Sequence, residues 1–417
     1  METHNSFNDR FVFEGRAKTW SLFAIVIGII TVVAGLFLNT DREFSNLLLM
    51  GYYFTNVCIA GAVFCAIQYA AQAGWSASMI RIPQAFAKVL PIAALFLIAI
   101  IAAGIFTTHN VVENGQTIAK SYLYSAWTTH GLTDPKALNY DPVIAGKSGF
   151  LNLPFFFIRL ILFLGLYSLL ARLLINYSEN EDEIGGMINY KKSFNLACVF
   201  LLVFGLSDPV YGFDTIMSLE ARWYSTMFGW YNFAALWVSG LSVITLTIIL
   251  LREKGYFSWL TENHLHNMGL FMFAFSVFWT YVWFAQFLLT YYANLPEEAI
   301  YFYRRWEPEF KPWFWLNIVI NFAAPFLALM SRDAKRKTTV LKWVCVILIL
   351  GHWLDYYMMI MPDTVGTAGR GFWYEEVGTF IGFAGLFTFC MLTALSKVKS
   401  LVPKNHPFLE ESLHHHV

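Results

Sequence analysis

A chain of 417 residues with 57% hydrophobic, 18% aromatic and only 13% charged side chains, and a mean hydropathy of +0.52, is too apolar for a water-soluble fold of that length. Its 28 Lys and Arg balance its 28 Asp and Glu, which excludes a basic surface for nucleic acid and an acidic disordered tail. Lipid is therefore the expected solvent, and the placement of the few charges carries the information.

Crossing roughly 30 Å of hydrocarbon takes about 20 apolar residues, and about ten runs meet that length. In chain order they lie near Lys18 to Leu38, Asn46 to Ala70, Ile82 to Phe106, Leu151 to Leu174, Ser193 to Met217, Met227 to Leu251, Leu265 to Tyr292, Trp313 to Met330, Val340 to Met361 and Val377 to Leu395. An all-α, polytopic membrane protein follows. With the N-terminus inside, about eighteen Lys and Arg fall inside and about nine outside, which predicts two cytoplasmic termini. Residues 1–17 form a cytoplasmic arm, 18–395 one integral membrane domain, and 396–417 a cytoplasmic tail. The first span runs past the length of a signal core and lacks a small-residue cleavage site, so it reads as an anchor.

The longest break, 107–149, carries Asn, Gly, Asp and Pro punctuation with Tyr122, Tyr124 and Trp127, and is predicted to lie outside. A second outer segment, Ala293 to Pro312, mixes carboxylates, Arg304, Arg305 and aromatics. Either serves as a docking platform for a periplasmic partner or as a plain interfacial aromatic belt. The tail contains His414 to His416, which fit a truncated tag, a short metal-binding tract or a native tail without a ligand role, the last being the preferred reading. Cys58, Cys65, Cys198, Cys345 and Cys390 sit inside apolar spans at unrelated spacings and read as packing residues. No CxxC, CxxCH or Cys/His cluster is present, so a metal, an iron–sulfur cluster or covalent haem is not expected on this chain.

Ionisable residues inside lipid cost roughly 2.5–3.5 kcal/mol each on insertion scales, so those that persist are paired or line a water path. Arg159 and Asp208 are predicted roughly 12–14 Å below the outer surface, on adjacent antiparallel spans that would let them pair. Pro209 follows Asp208 and predicts a kink or an unwound turn there. Further along come Ser207, Tyr211, Asp214 and Glu220, with Asp214 and Ser218 at i,i+4, a pattern that fits a carboxylate and hydroxyl relay toward the outer face. In the ninth span His352 and Asp355 stand at i,i+3 near the same depth, and a carboxylate beside a histidine is the chemistry a proton path needs. A haem-ligand reading of His352 lacks a second mid-depth histidine. The seventh span places Trp279, Tyr281, Trp283 and Gln286 in one aromatic stretch, which fits packing and also a flat slot for a quinone ring. No quinone-binding residue is assigned.

The segments from Ser207 to Phe233 and from Trp279 to Arg305, with the tail HPFLEESLHHHV, resemble ActF-type subunits of bacterial alternative complex III, a quinol:cytochrome c oxidoreductase, which are similar to the NrfD-like membrane subunits of polysulfide reductases. The resemblance covers nearly the whole chain. It implies ten helices arranged as two four-helix bundles, spans two to five and six to nine, flanked by the first and last. It also implies a non-haem subunit of the inner membrane whose partners, an ActC-type sister subunit and subunits bearing iron–sulfur clusters and haem c, hold the electron carriers. A cytochrome oxidase joins such assemblies, and menaquinone or ubiquinone is the compatible quinone. The role it implies is a proton path, for which the depth argument selects Asp208, Asp214, Glu220, His352 and Asp355, with Arg159 as counter-ion. An independent transporter and a purely structural scaffold are the competing readings; a transporter usually shows interrupted helices at matching positions of two repeats.

Overall fold

Without water to satisfy an open backbone, an apolar chain of this kind closes its hydrogen bonds inside helices. The computed structural model describes residues 10–113, 116–366 and 371–415, and is built of α-helices apart from one hairpin. In order they are α1 (Arg16–Leu38), α2 (Thr40–Ala70), α3 (Arg81–Phe106), the antiparallel pair β1 (Thr108–Glu113) and β2 (Gln116–Ser121), α4 (Ser125–Thr128), α5 (Pro142–Lys147), α6 (Leu153–Ile184), α7 (Met187–Thr215), α8 (Met227–Glu253) and α9 (Glu262–Ala293). Then follow α10 (Pro296–Arg305), α11 (Lys311–Ile318), α12 (Ala324–Ala328), α13 (Arg332–Arg336), α14 (Thr338–Thr364), α15 (Tyr374–Ser396) and α16 (Leu409–Leu413).

Nine helices among the described residues are long and apolar enough to cross a membrane, and the chain is a polytopic membrane protein. The tenth crossing is composite: α11, a π-helical turn at Val319–Ala323 and α12, of 8, 5 and 5 residues, stack end to end over about 27 Å. The unwound turn, one of the two outcomes expected at Pro209, is not formed, since α7 runs through it to Thr215. An unwound turn would leave backbone groups without partners in lipid; instead Gly229 of α8 seats against Pro209, where a Cβ would meet the ring at 2.6 Å. The interruption belongs to the second half of the chain.

Helices α2, α3, α6 and α7 pack as one four-helix bundle, and α8, α9, α11–α12 and α14 as the second. Helix α2 is the hub, buried along most of its length and touching α3, α7, α8, α14 and α15. Small residues permit this: a Cβ on Gly240 of α8 would fall 2.1 Å from the Cβ of Ala60. The first and last long helices pair with each other, their backbones so close at Gly28 and Gly382 that a Cβ on the former would lie 2.3 Å from the Cα of the latter. Outward side chains such as Phe23, Leu162, Leu206, Phe284 and Leu289 are exposed, as lipid-facing residues should be.

One end of the molecule carries the hairpin and α10, and the other carries the start of α1 and the end of α15. On that terminal end the tail folds back onto the chain: Ser412 Oγ donates to the carbonyl of Trp75 (2.8 Å), His406 packs between Tyr69 and Tyr190, and Asn263 Nδ2 donates to the carbonyl of His415 (3.1 Å). The tail is thus a strap over its own helices. Of the three terminal histidines, His416 lies outside the described residues, as do 1–9 of the N-terminal arm.

Candidate functional site

The second bundle converges on one carboxylate. Asp355 of α14 is completely buried and accepts hydrogen bonds from Trp279 Nε1 of α9 (2.8 Å), Asn317 Nδ2 of α11 (2.8 Å) and the Tyr231 hydroxyl of α8. The three other helical segments of the bundle therefore each supply a donor to the carboxylate that α14 carries. Three donors arriving from three different helices over-determine its position. His352, one turn earlier on α14, places Nδ1 3.8 Å from Asp355 Oδ2, too far for a direct hydrogen bond. Both of its ring nitrogens are buried without a hydrogen-bond partner among the described residues.

A π-helical turn follows directly after α11, whose Asn317 reaches this point. Asn317 of α11 and Asn321 within the π turn face α14, where Asn321 Nδ2 donates to Asn317 Oδ1 (2.6 Å) and to the carbonyl of Gly351 (2.9 Å). Gly351 is required there, since a Cβ would stand 2.3 Å from Asn321 Oδ1. Single π turns inside α-helices recur at functional sites.

A second buried carboxylate, Asp208, sits on α7 in the first bundle. Its Oδ1 has no hydrogen-bond partner, and it lies within electrostatic range of the phenols of Tyr52, Tyr167, Tyr211 and Tyr356. These tyrosines bridge the bundles. Tyr52 stacks on Tyr211 at 5.3 Å and meets Tyr356 edge-on at 5.4 Å, while its hydroxyl donates to Asn232 Oδ1 of α8 (2.8 Å). Asn56 Nδ2 donates to the Tyr356 hydroxyl (2.9 Å), and Tyr356 adjoins Asp355 on α14. Along this stretch Tyr211 Oη, Asn56 Oδ1 and Asn232 Nδ2 are further buried polar atoms without protein partners. Buried polar groups are usually satisfied by protein or ordered water, so a run of unsatisfied valences marks a path suited to water.

Toward the hairpin end, Tyr231 and Asn317 line a cavity of about 10 Å³ with Gln286, Tyr301 and Arg305, roughly the volume of one water. Gln286 Oε1, buried at this point, lacks a partner. Beyond the cavity, buried Arg305 donates to Asp363 Oδ2 (2.8 Å), Arg304 stands 3.7 Å from the same carboxylate and Arg304 also pairs with Glu220. Trp223 and Tyr301 stack at 3.8 Å over this cluster. Burial pushes the Glu220 carboxyl upward, with the Arg304 guanidinium opposing it.

The pairing expected between Arg159 and Asp208 is not formed. Arg159 instead grips Asp214 with two hydrogen bonds of 2.7 Å, six residues further along α7, between the rings of Phe150 and Phe155. A guanidinium fork finds two aligned oxygens there, which is its favoured geometry. Nor does the i,i+4 spacing make a carboxylate–hydroxyl relay: Ser218 Oγ donates to the backbone carbonyl of Asp214, not to its side chain. Of the aromatic stretch on α9, Trp279 and Gln286 face inward and Trp283 is half-buried, but Tyr281 is exposed on the outer surface of the bundle.

Sequence reasoning named His352, Asp355 and Asp208 but missed Tyr231, Asn317, Tyr52, Tyr211 as a bridge, and Asp363. A signal existed for several of them: Asn317 and Asn321, and likewise Tyr52 and Asn56, stand at i,i+4 in otherwise apolar helices, the spacing that puts two polar groups on one face. The sequence matches no family model and no curated protein.

Proposed function

We propose that this chain is the non-haem, proton-conducting membrane subunit of a quinol:cytochrome c oxidoreductase of the alternative complex III type. The observation that carries the proton path is the buried Asp355, held by one donor from each surrounding helix, with the unpartnered His352 beside it and the tyrosine bridge leading to Asp208. The route runs from Asp208 past Tyr211, Tyr52 and Tyr356 to Asp355, then by Tyr231 and the small cavity to Arg305, Asp363 and Glu220. Carboxylates and imidazole exchange protons, the phenol and amide groups hold bridging waters in line, and Arg304 and Arg305 set the charge at the hairpin end. Asp214, engaged on both oxygens by Arg159, is left out of the route as a fixed ion pair.

The respiratory assignment rests on the resemblance of Ser207–Phe233 and Trp279–Arg305 to ActF-type subunits, and the Lys and Arg bias supports a bacterial inner-membrane location with cytoplasmic termini. Iron–sulfur and haem c subunits, the sister subunit and, in a supercomplex, a cytochrome oxidase are the proposed partners; menaquinol or ubiquinol is the proposed electron donor. A scaffold role accounts for the Arg159–Asp214 pair but gives no reason for an unpartnered histidine beside a carboxylate. Purifying the native assembly through this chain and assaying quinol:cytochrome c reductase activity, haem and iron tests the reading. Activity with both cofactors present is expected, and a lone colourless protein would contradict it.

A further inference from the structure

Away from the carboxylate route, a crevice of about 390 Å³ opens between α3, α6 and α15 near the terminal end of the molecule. Its rim carries Lys88, Arg172 and Lys397 together with Asn176, and its floor is apolar, including Pro91, Ile175 and Phe389. Lys88 pairs with Glu179, the one acid at this rim with which any of the three cations pairs among the described residues. Arg172 and Lys397 are exposed and have no acidic partner among the described residues, so the rim has a local excess of positive charge.

The crevice does not stop at its rim. A second apolar groove, lined by Gly51, Phe96, Phe383 and Phe387, shares Val89, Ile92 and Cys390 with it, so the two form one furrow along the α3–α15 seam. From Lys88 to Phe96 the furrow follows about 12 Å of helix, and from Lys397 to Phe383 about 21 Å. That is roughly one leaflet of a hydrocarbon core about 30 Å thick. Cations at the interface with an apolar furrow descending one leaflet match the two ends of an anionic phospholipid.

We propose that this furrow is a binding site for an anionic phospholipid, with the phosphate held by Arg172, Lys397 and Lys88 and an acyl chain lying along Ile92, Phe96 and Phe383. A resident lipid there covers the α3–α15 seam and fixes the outer α1–α15 pair against the first bundle. It is independent of the proton route, whose residues lie elsewhere.

Native mass spectrometry of the detergent-purified chain, titrated with phosphatidylglycerol, tests the site. Saturable binding of phosphatidylglycerol is expected, at least about tenfold tighter than phosphatidylcholine. Removing each cation should weaken it about fivefold, so the Arg172→Gln/Lys397→Gln double variant should lose about 25-fold and approach the phosphatidylcholine level. Both side chains are exposed and have no acidic partner among the described residues, and an unchanged helical circular dichroism spectrum verifies the fold. Ile92→Trp, which fills the shared stretch without altering charge, should also weaken binding, and inorganic phosphate at millimolar concentration should not displace the lipid. Equal retention of the two lipids, undiminished phosphatidylglycerol binding in the double variant, or displacement by phosphate would overturn the proposal.

Discussion

The contrast between two buried acids on α7 shows how one position becomes a fixture and another a candidate for chemistry. Asp214 has both oxygens taken by the Arg159 fork, whereas Asp208, less than two turns earlier, has a carboxylate oxygen facing tyrosines with no hydrogen bond. Breaking a buried ion pair by deleting one partner strands a charge and costs about 3–5 kcal/mol, while replacing both partners by apolar groups of similar volume is close to neutral. Arg159→Met should therefore lower the thermal stability of the solubilised protein severely, and Arg159→Met/Asp214→Leu should recover most of the loss. A double variant as unstable as the single one would mean that the pair does more than neutralise itself. Asp208 has no such partner to strand, so Asp208→Asn should assemble normally.

At the level of elements, the nine long helices were legible in hydropathy alone, because a length of apolar chain is a local property. The tenth was legible as a run but not as a broken helix: Pro209 signalled an interruption on α7 that packing against Gly229 suppresses, and the actual interruption on α11–α12 is written in Asn317 and Asn321, whose partners Asp355 and Gly351 lie some 30 residues away or more. The pairing of α1 with α15 was invisible for the same reason. Gly28→Leu should force the two helices apart, detected as loss of an engineered α1–α15 cysteine crosslink, while leaving the two bundles and the crosslinks within them intact; an unchanged crosslink would contradict the close backbone contact. The tail strap makes a pH-dependent contact. Burial among Tyr69, Tyr190 and Phe408, with the Arg81 guanidinium nearby, pushes His406 down to about 4 from the usual 6.5. The undocked tail then binds a proton that the docked tail refuses, so docking is at full strength above pH 6.5 and weakens as pH falls toward 4. By pH 5 the loss is about 2 kcal/mol. Hydrogen-exchange protection factors over residues 404–413, which already divide out the slower intrinsic exchange at low pH, should fall between pH 7 and 5, and His406→Phe should abolish that fall.

At the level of the whole molecule, the sequence supports a membrane protein with a few buried charges at similar depth, and the i,i+3 spacing of His352 and Asp355 puts them on one face of α14, where they stand 3.8 Å apart. Depth could not reveal which side chains meet, because it says nothing about which way a side chain faces; Arg159 was matched to the wrong one of two carboxylates on α7. What the fold adds is convergence: donors from α8, α9 and α11 meet a carboxylate on α14, and tyrosines on α2, α7 and α14 connect it to the other bundle. A proton route of this form makes Asp355 indispensable and Asp214 incidental. The direct test is the proton yield per electron of the purified assembly reconstituted in vesicles, compared between wild type, Asp355→Asn and the Arg159→Met/Asp214→Leu variant. The account predicts that Asp355→Asn lowers the proton yield per electron at least about tenfold at normal subunit content, while the ion-pair variant retains it. An unchanged proton yield in a fully assembled Asp355→Asn complex would contradict the route.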